Sequence, residues 1–93
     1  MPVVARKRDS ELQAAHFASD WGQTLGRLER FIGEWRCYRF TNSDMETFIV
    51  IRGAHGAQTA RVGDWIVRDA DGRCSVCSAE EFEQTYRILR GKG

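Results

Sequence analysis

Cys74-Ser75-Val76-Cys77 is the first place where residue types and spacing offer chemistry. Two thiols three residues apart, with Cys37, His16 or His55 as further ligands, have the composition of a zinc or redox site. The spacing argues against it. This segment follows an Asp71-Gly72 turn and reads as a strand, and residues three apart on a strand point to opposite faces. With no second C-x-x-C, the cysteines are expected to pack as small hydrophobes, with no metal bound. Asp64, between Gly63 and Trp65, is the best-placed carboxylate. An aspartate straight after glycine usually accepts hydrogen bonds from amides of its own turn, and Glu80, Glu81 and Glu83 suit the start of a helix. Neither histidine lies in a nucleophile motif, and Gly53-Ala54-His55-Gly56 lacks the lysine and following helix of a phosphate loop. These residues point to no catalytic group and no cofactor.

Trp35-Arg36-Cys37-Tyr38-Arg39-Phe40 carries a different chemistry, because alternating arginines and aromatics can stack on flat groups and contact phosphates. On a strand, Arg36, Tyr38 and Phe40 share one face and Trp35, Cys37 and Arg39 the other. At least one aromatic set is therefore expected in the core. Without a glycine-aromatic segment of the kind sheet-based RNA binders use, nucleic acid is the lesser partner expectation. The surface residues singled out for binding are Arg36, Arg39, Asp64, Trp65 and Arg68.

The elements that position these groups follow from periodicity. Residues 1–9 carry charge without an obvious period and read as a flexible basic arm, leaving residues 10–90 as one domain. Ser10 to His16 alternates as a strand. Ser19 and Asp20 offer caps for a helix whose apolar positions Trp21, Leu25, Leu28, Phe31 and Ile32 recur at helical spacing. Gly33 ends it as a left-handed residue. Gly22 and Gly26 weaken that helix by about 1 kcal/mol each relative to alanine, so it must rest on a sheet. Strands are expected over Trp35 to Phe40, Glu46 to Arg52, Gln58 to Val62, Asp64 to Arg68 and Cys74 to Cys77, with turns at Asn42-Ser43-Asp44, at Gly53 to Gly56 and at Asp71-Gly72. Phe48, Val50 and Ile66, or their alternates, should face the helix. Ser78 and Glu81 form a capping box for a short last helix, on which Phe82 and Tyr86 share a side. Ile88 and Leu89 would add an apolar anchor. The sum is an α+β fold: a small antiparallel meander, flat or partly curled toward a barrel, packed by one longer helix and one short C-terminal helix.

Composition sets the bounds on function. The 93 residues have 42% hydrophobic and 29% charged side chains, ordinary globular usage for one modest core. A net charge of +1 supplies no global field toward nucleic acid or an anionic membrane. No run approaches a membrane span, the N-terminus lacks the apolar stretch of a signal peptide, and three cysteines suggest reduced thiols. These features lead to an expectation of a cytoplasmic protein without membrane partners.

Val62-Gly63-Asp64-Trp65-Ile66-Val67-Arg68, with Asp71-Gly72, Cys77 and Phe82-Glu83-Gln84-Thr85-Tyr86 downstream, resembles the small bacteriophage proteins of the PGDYG-motif type. Arg6-Lys7-Arg8 running into Ser10 to His16-Phe17 is similar to the basic segment and first strand of such proteins. Val62 stands where the motif has proline, and the helical region is longer. The resemblance implies a phage or prophage origin and a related fold, with no established chemistry. The expected function is then non-enzymatic binding, with a host protein as partner, such as a component of a defence system inhibited in an anti-CRISPR-like manner. A small-ligand or nucleotide sponge and a minor virion assembly subunit are the alternatives.

Overall fold

The computed structural model describes residues 3–7, 10–53 and 56–91. Along the chain run β1 (Val3–Lys7), β2 (Ser10–His16), α1 (Gly22–Ile32), β3 (Cys37–Thr41), β4 (Thr47–Gly53), β5 (Gly56–Ala60), β6 (Trp65–Arg68), β7 (Cys74–Cys77), α2 (Ala79–Thr85) and β8 (Arg87–Gly91). Two antiparallel sheets result, one of five strands in the order β7-β6-β2-β1-β8 and one of three in the order β3-β4-β5. Both are open, with β7 and β8 at the edges of one and β3 and β5 at the edges of the other, so neither closes into a barrel.

The five-stranded sheet is buried on both sides. Ala15 and Ile66 face one way and join Leu25, Leu28, Phe31 and Ile32 of α1 with Ile49, Ile51 and Ala60 of the smaller sheet. Ala14 and Val67 face the other way and join Val3, Ala5, Cys77 and Phe82 under α2. The period of two thus feeds two cores from neighbouring residues of one strand. In β4 the residues facing the helix are Ile49 and Ile51, the alternates of Phe48 and Val50.

Three local features differ from the sequence expectation. The segment Val3–Lys7 is no loose arm but a strand paired with both β2 and β8, because Val3 and Ala5 alternate with Val4 and Arg6 and are fully buried. Neither Ser19 nor Asp20 caps α1. Trp21 is the N-cap with no side-chain cap, and the Ser19 hydroxyl instead hydrogen-bonds Thr24 Oγ1 at 2.9 Å. Extended backbone at Trp21 takes its ring out of phase with the helical stripe, so the indole is 76% exposed while Leu25, Leu28, Phe31 and Ile32 are buried. Ile88 and Leu89 lie exposed on the edge strand β8, which is anchored by backbone pairing with β1 and not by their side chains.

Other signals hold. Gly33 ends α1 with φ +113°, a backbone angle that favours glycine, although its ψ of 115° lies outside the left-handed helical basin. Ser78 accepts a hydrogen bond from the Glu81 amide at 3.1 Å, as a capping residue does. Gly53 pairs with Gly56 across the β4–β5 turn, whose Ala54 and His55 lie outside the described residues.

Candidate binding surface

Asp64 and Trp65 have structural positions. Asp64 Oδ2 accepts from the Arg61 amide at 3.1 Å, and the Asp64 carbonyl accepts from the Phe17 amide at 2.9 Å, closing the turn around Gly63, whose φ is +102°. Trp65 stacks between His16, at 4.7 Å, and Phe82, at 4.1 Å between ring centroids, and Tyr86 continues the series beyond Phe82 at 5.1 Å. The Gly63-Asp64-Trp65 and Phe82-to-Tyr86 segments therefore meet in one aromatic row under α2. Burial pushes the Tyr86 hydroxyl above its ordinary pKa.

The three arginines are tethers. Arg39 reaches from β3 to α1 and holds Glu29 through two hydrogen bonds, of 3.0 and 2.8 Å, which raise its own pKa further. Arg36 donates to the Gly72 carbonyl at 3.1 Å. Arg68 donates to the carbonyl of Phe31 at 2.8 Å and to Gln13 Oε1, and its guanidinium covers the Phe31 ring at 4.6 Å. Arg36 and Arg68 line one cleft of about 520 Å³, but Glu11 and Asp69 share its walls, so its charge is balanced. Arg39, Asp64 and Trp65 do not join it.

Cys74 and Cys77 face opposite ways, Cys74 toward the core beneath α1 and Cys77 toward the core beneath α2. Among the described residues no three His, Cys, Asp or Glu side chains form a group that could hold a metal. Burial raises the Cys37 and Cys74 thiols above the ordinary value of 9.0, which favours their protonated form.

The strongest exposed constellation lies on the outer face of the three-stranded sheet. The strand starts at Cys37, so Trp35 falls in the preceding turn and is 81% exposed. Tyr38 and Phe40 are 47% and 52% exposed. Neither aromatic set of this segment is core, contrary to the expectation, because α1 needs only Cys37 from β3 and Arg39 is drawn to Glu29. Register places Tyr38 opposite Val50 and Phe40 opposite Phe48. The Phe40 and Phe48 rings stack with centroids 6.3 Å apart. Arg52 lies over Tyr38 at 5.7 Å and Arg61 over Phe48 at 6.0 Å. β3, β4 and β5 contain no aspartate or glutamate. Phe48, Arg52 and Arg61 were not among the residues singled out from sequence; the alternation Phe48-Val50-Arg52 was the available signal, and only the β3–β4 register shows that it lies beside Tyr38 and Phe40.

No protein-family model, curated protein or solved structure matches this chain. Among the described residues no helix is long and apolar enough to cross a membrane.

Proposed function

We propose that the protein works by binding, without chemistry of its own, and that the outer face of the three-stranded sheet docks an acidic surface of a protein partner. The observation that carries this reading is the acid-free array of Tyr38, Phe40 and Phe48 with Arg52 and Arg61 laid over two of the rings. Tyrosine, phenylalanine and arginine are the residues enriched at protein interfaces, and an array lacking carboxylates complements negative charge. Base stacking fits less well, because Phe48 already has Phe40 on one side and Arg61 over its ring, and Tyr38 is covered by Arg52. In the phage setting that the resemblance implies, the partner is a host protein, for instance a component of a defence system.

The test is capture of partners on immobilised protein, followed by reconstitution of each captured pair from purified components. Tyr38→Ala with Phe40→Ala, and Arg52→Glu with Arg61→Glu, should each abolish a salt-sensitive interaction that an Arg27→Glu variant keeps. Partners retained by both face variants would refute the assignment of this surface. Tight binding of a single-stranded oligonucleotide, lost in the same variants, would replace the protein partner with nucleic acid.

A further inference from the structure

A concave surface lies where α1 passes the end of β2 and the β6 strand. It encloses about 480 Å³, a volume within the range of small-molecule sites. Arg27, Arg30 and Arg68 line it, and no carboxylate does. The apolar part of the lining comes from Ala15, Ala18, Leu28 and Phe31, and the Phe31 ring lies under the Arg68 guanidinium at 4.6 Å.

The three cations are in different states. Arg27 and Arg30 lie one helical turn apart and so share a side of α1. Among the described residues Arg27 has no hydrogen-bond or ion-pair partner, and Arg30 donates only through Nε, at 3.3 Å to the Gly26 carbonyl of its own helix. Arg68 is held by the Phe31 carbonyl and Gln13, and there it neutralises a carbonyl at the negative end of α1, which would otherwise repel an anion. Glu29, the nearest acid along the helix, is engaged by Arg39. Two guanidiniums with unused donors, beside a third laid over an aromatic ring, suit a phosphate attached to a flat organic body.

We infer that this cleft binds a small organic phosphate of nucleoside-monophosphate size, the phosphate on Arg27 and Arg30 and the flat body against the Arg68 guanidinium that covers Phe31. The inference is independent of the sheet-face reading, since the two surfaces share no residue. The phosphate could come from a free nucleotide or from the phosphorylated end of a strand, and the chemistry recognised is the same.

Calorimetric titration of the full chain in phosphate-free buffer, with AMP, adenosine, inorganic phosphate and a 5′-phosphorylated oligonucleotide, tests it. AMP should bind more tightly than adenosine or inorganic phosphate, and increasing salt should weaken it. Arg27→Ala should weaken AMP by about tenfold, the effect of losing one charge-assisted hydrogen bond, and Arg27→Ala with Arg30→Ala should abolish binding without lowering the melting temperature. An oligonucleotide that competes with AMP and is lost in the same double variant identifies a strand end as the source. No AMP binding at millimolar concentration, equal affinity for inorganic phosphate, or an affinity unchanged in the double variant would each overturn the assignment.

Discussion

The indole of Trp65 lies flat on the ring of Phe82, with centroids 4.1 Å apart and planes 5° from parallel. Phe82 is 2% exposed and stands between β6 and the Tyr86 ring. Phe82→Ala should therefore cost about 3–5 kcal/mol, the usual range for a buried aromatic truncation. Denaturant unfolding followed by tryptophan emission measures this directly, since Trp21 and Trp35 are already exposed and Trp65 supplies the signal that shifts. An unchanged midpoint would show that the aromatic row contributes nothing to stability.

Arg68, which the sequence groups with the surface residues for binding, makes the second prediction as a structural tether. Its guanidinium satisfies the Phe31 carbonyl at the end of α1 and ties β6 to Gln13 of β2. Arg68→Ala should cost about 1.5–3 kcal/mol, the magnitude for hydrogen bonds from a charged donor. Arg68→Lys keeps the charge but cannot span both acceptors, and should lose an intermediate amount. Thermal melts of the two variants beside Arg27→Ala check the order, with Arg27→Ala expected to melt as the parent does.

Local signals and long-range ones were unequally legible. The bounds of β2 and β7, the stripe from Leu25 to Ile32, and the cap at Ser78 depend on residues within a turn or two of each other, and all are as the sequence implies. The pairing of β2 with β6 and of β1 with β8 joins segments far apart in the chain, and no local pattern encodes which distant edge a strand will meet. For that reason Val3–Lys7 reads as a charged arm until Ala14 and Arg90 are known to flank it. The candidate binding surface was half visible. Strand parity grouped Tyr38 with Phe40, but which of two faces is buried is decided by α1 and by Glu29 capturing Arg39. Arg36 and Arg68 looked like free surface charge because their acceptors are carbonyls of Gly72 and Phe31, which a sequence does not display.

The desolvated thiols of buried Cys37 and half-buried Cys74 give a pH dependence with a definite sign. Desolvation raises Cys37 and Cys74 from an ordinary 9.0, and Tyr86 from 10.0, so in each case the unfolded chain releases its proton at lower pH than the folded one. The stability due to these neutral groups is complete below the unfolded values and is lost as pH rises through 9.0 and above. Urea unfolding should therefore show lower stability at alkaline pH, and Cys37→Val with Cys74→Val should reduce the slope of that decline. Iodoacetamide at neutral pH should label these two thiols much more slowly in folded than in unfolded protein. Rapid labelling, or stability that rises with alkalinity, would contradict the desolvation of these thiols.

Asp64 offers a small, clean contrast. Its Oδ2 accepts one backbone hydrogen bond, from Arg61 at 3.1 Å. Asp64→Asn retains an acceptor oxygen and should melt close to the parent, while Asp64→Ala should lose about 1 kcal/mol. A binding assay at matched folded concentration completes the comparison. Loss of binding in a fully folded Asp64→Asn would make this carboxylate a ligand-contacting group.

Met45 is the residue at which the β3–β4 connection is least comfortable. Its φ is +65°, a left-handed angle that costs an L-residue about 1–2 kcal/mol. Asn42 imposes that angle: its Oδ1 accepts from the amides of Asp44 and Glu46, both at 2.9 Å, and its carbonyl accepts from the Met45 amide at 3.1 Å. The Met45 side chain is exposed and offsets little of the cost. Asparagine tolerates the left-handed region better than methionine, so Met45→Asn should raise stability by about 0.5–1 kcal/mol, whereas β-branched Met45→Val should lower it. Met45→Gly removes the same strain but adds freedom to the unfolded chain, and should fall between Met45→Asn and the parent. Asn42→Ala deletes the two side-chain bonds that hold the turn and should destabilise even in the Met45→Asn background. Urea midpoints of the four variants give the ranking, and a Met45→Asn protein less stable than the parent would show that the turn carries no strain at this position.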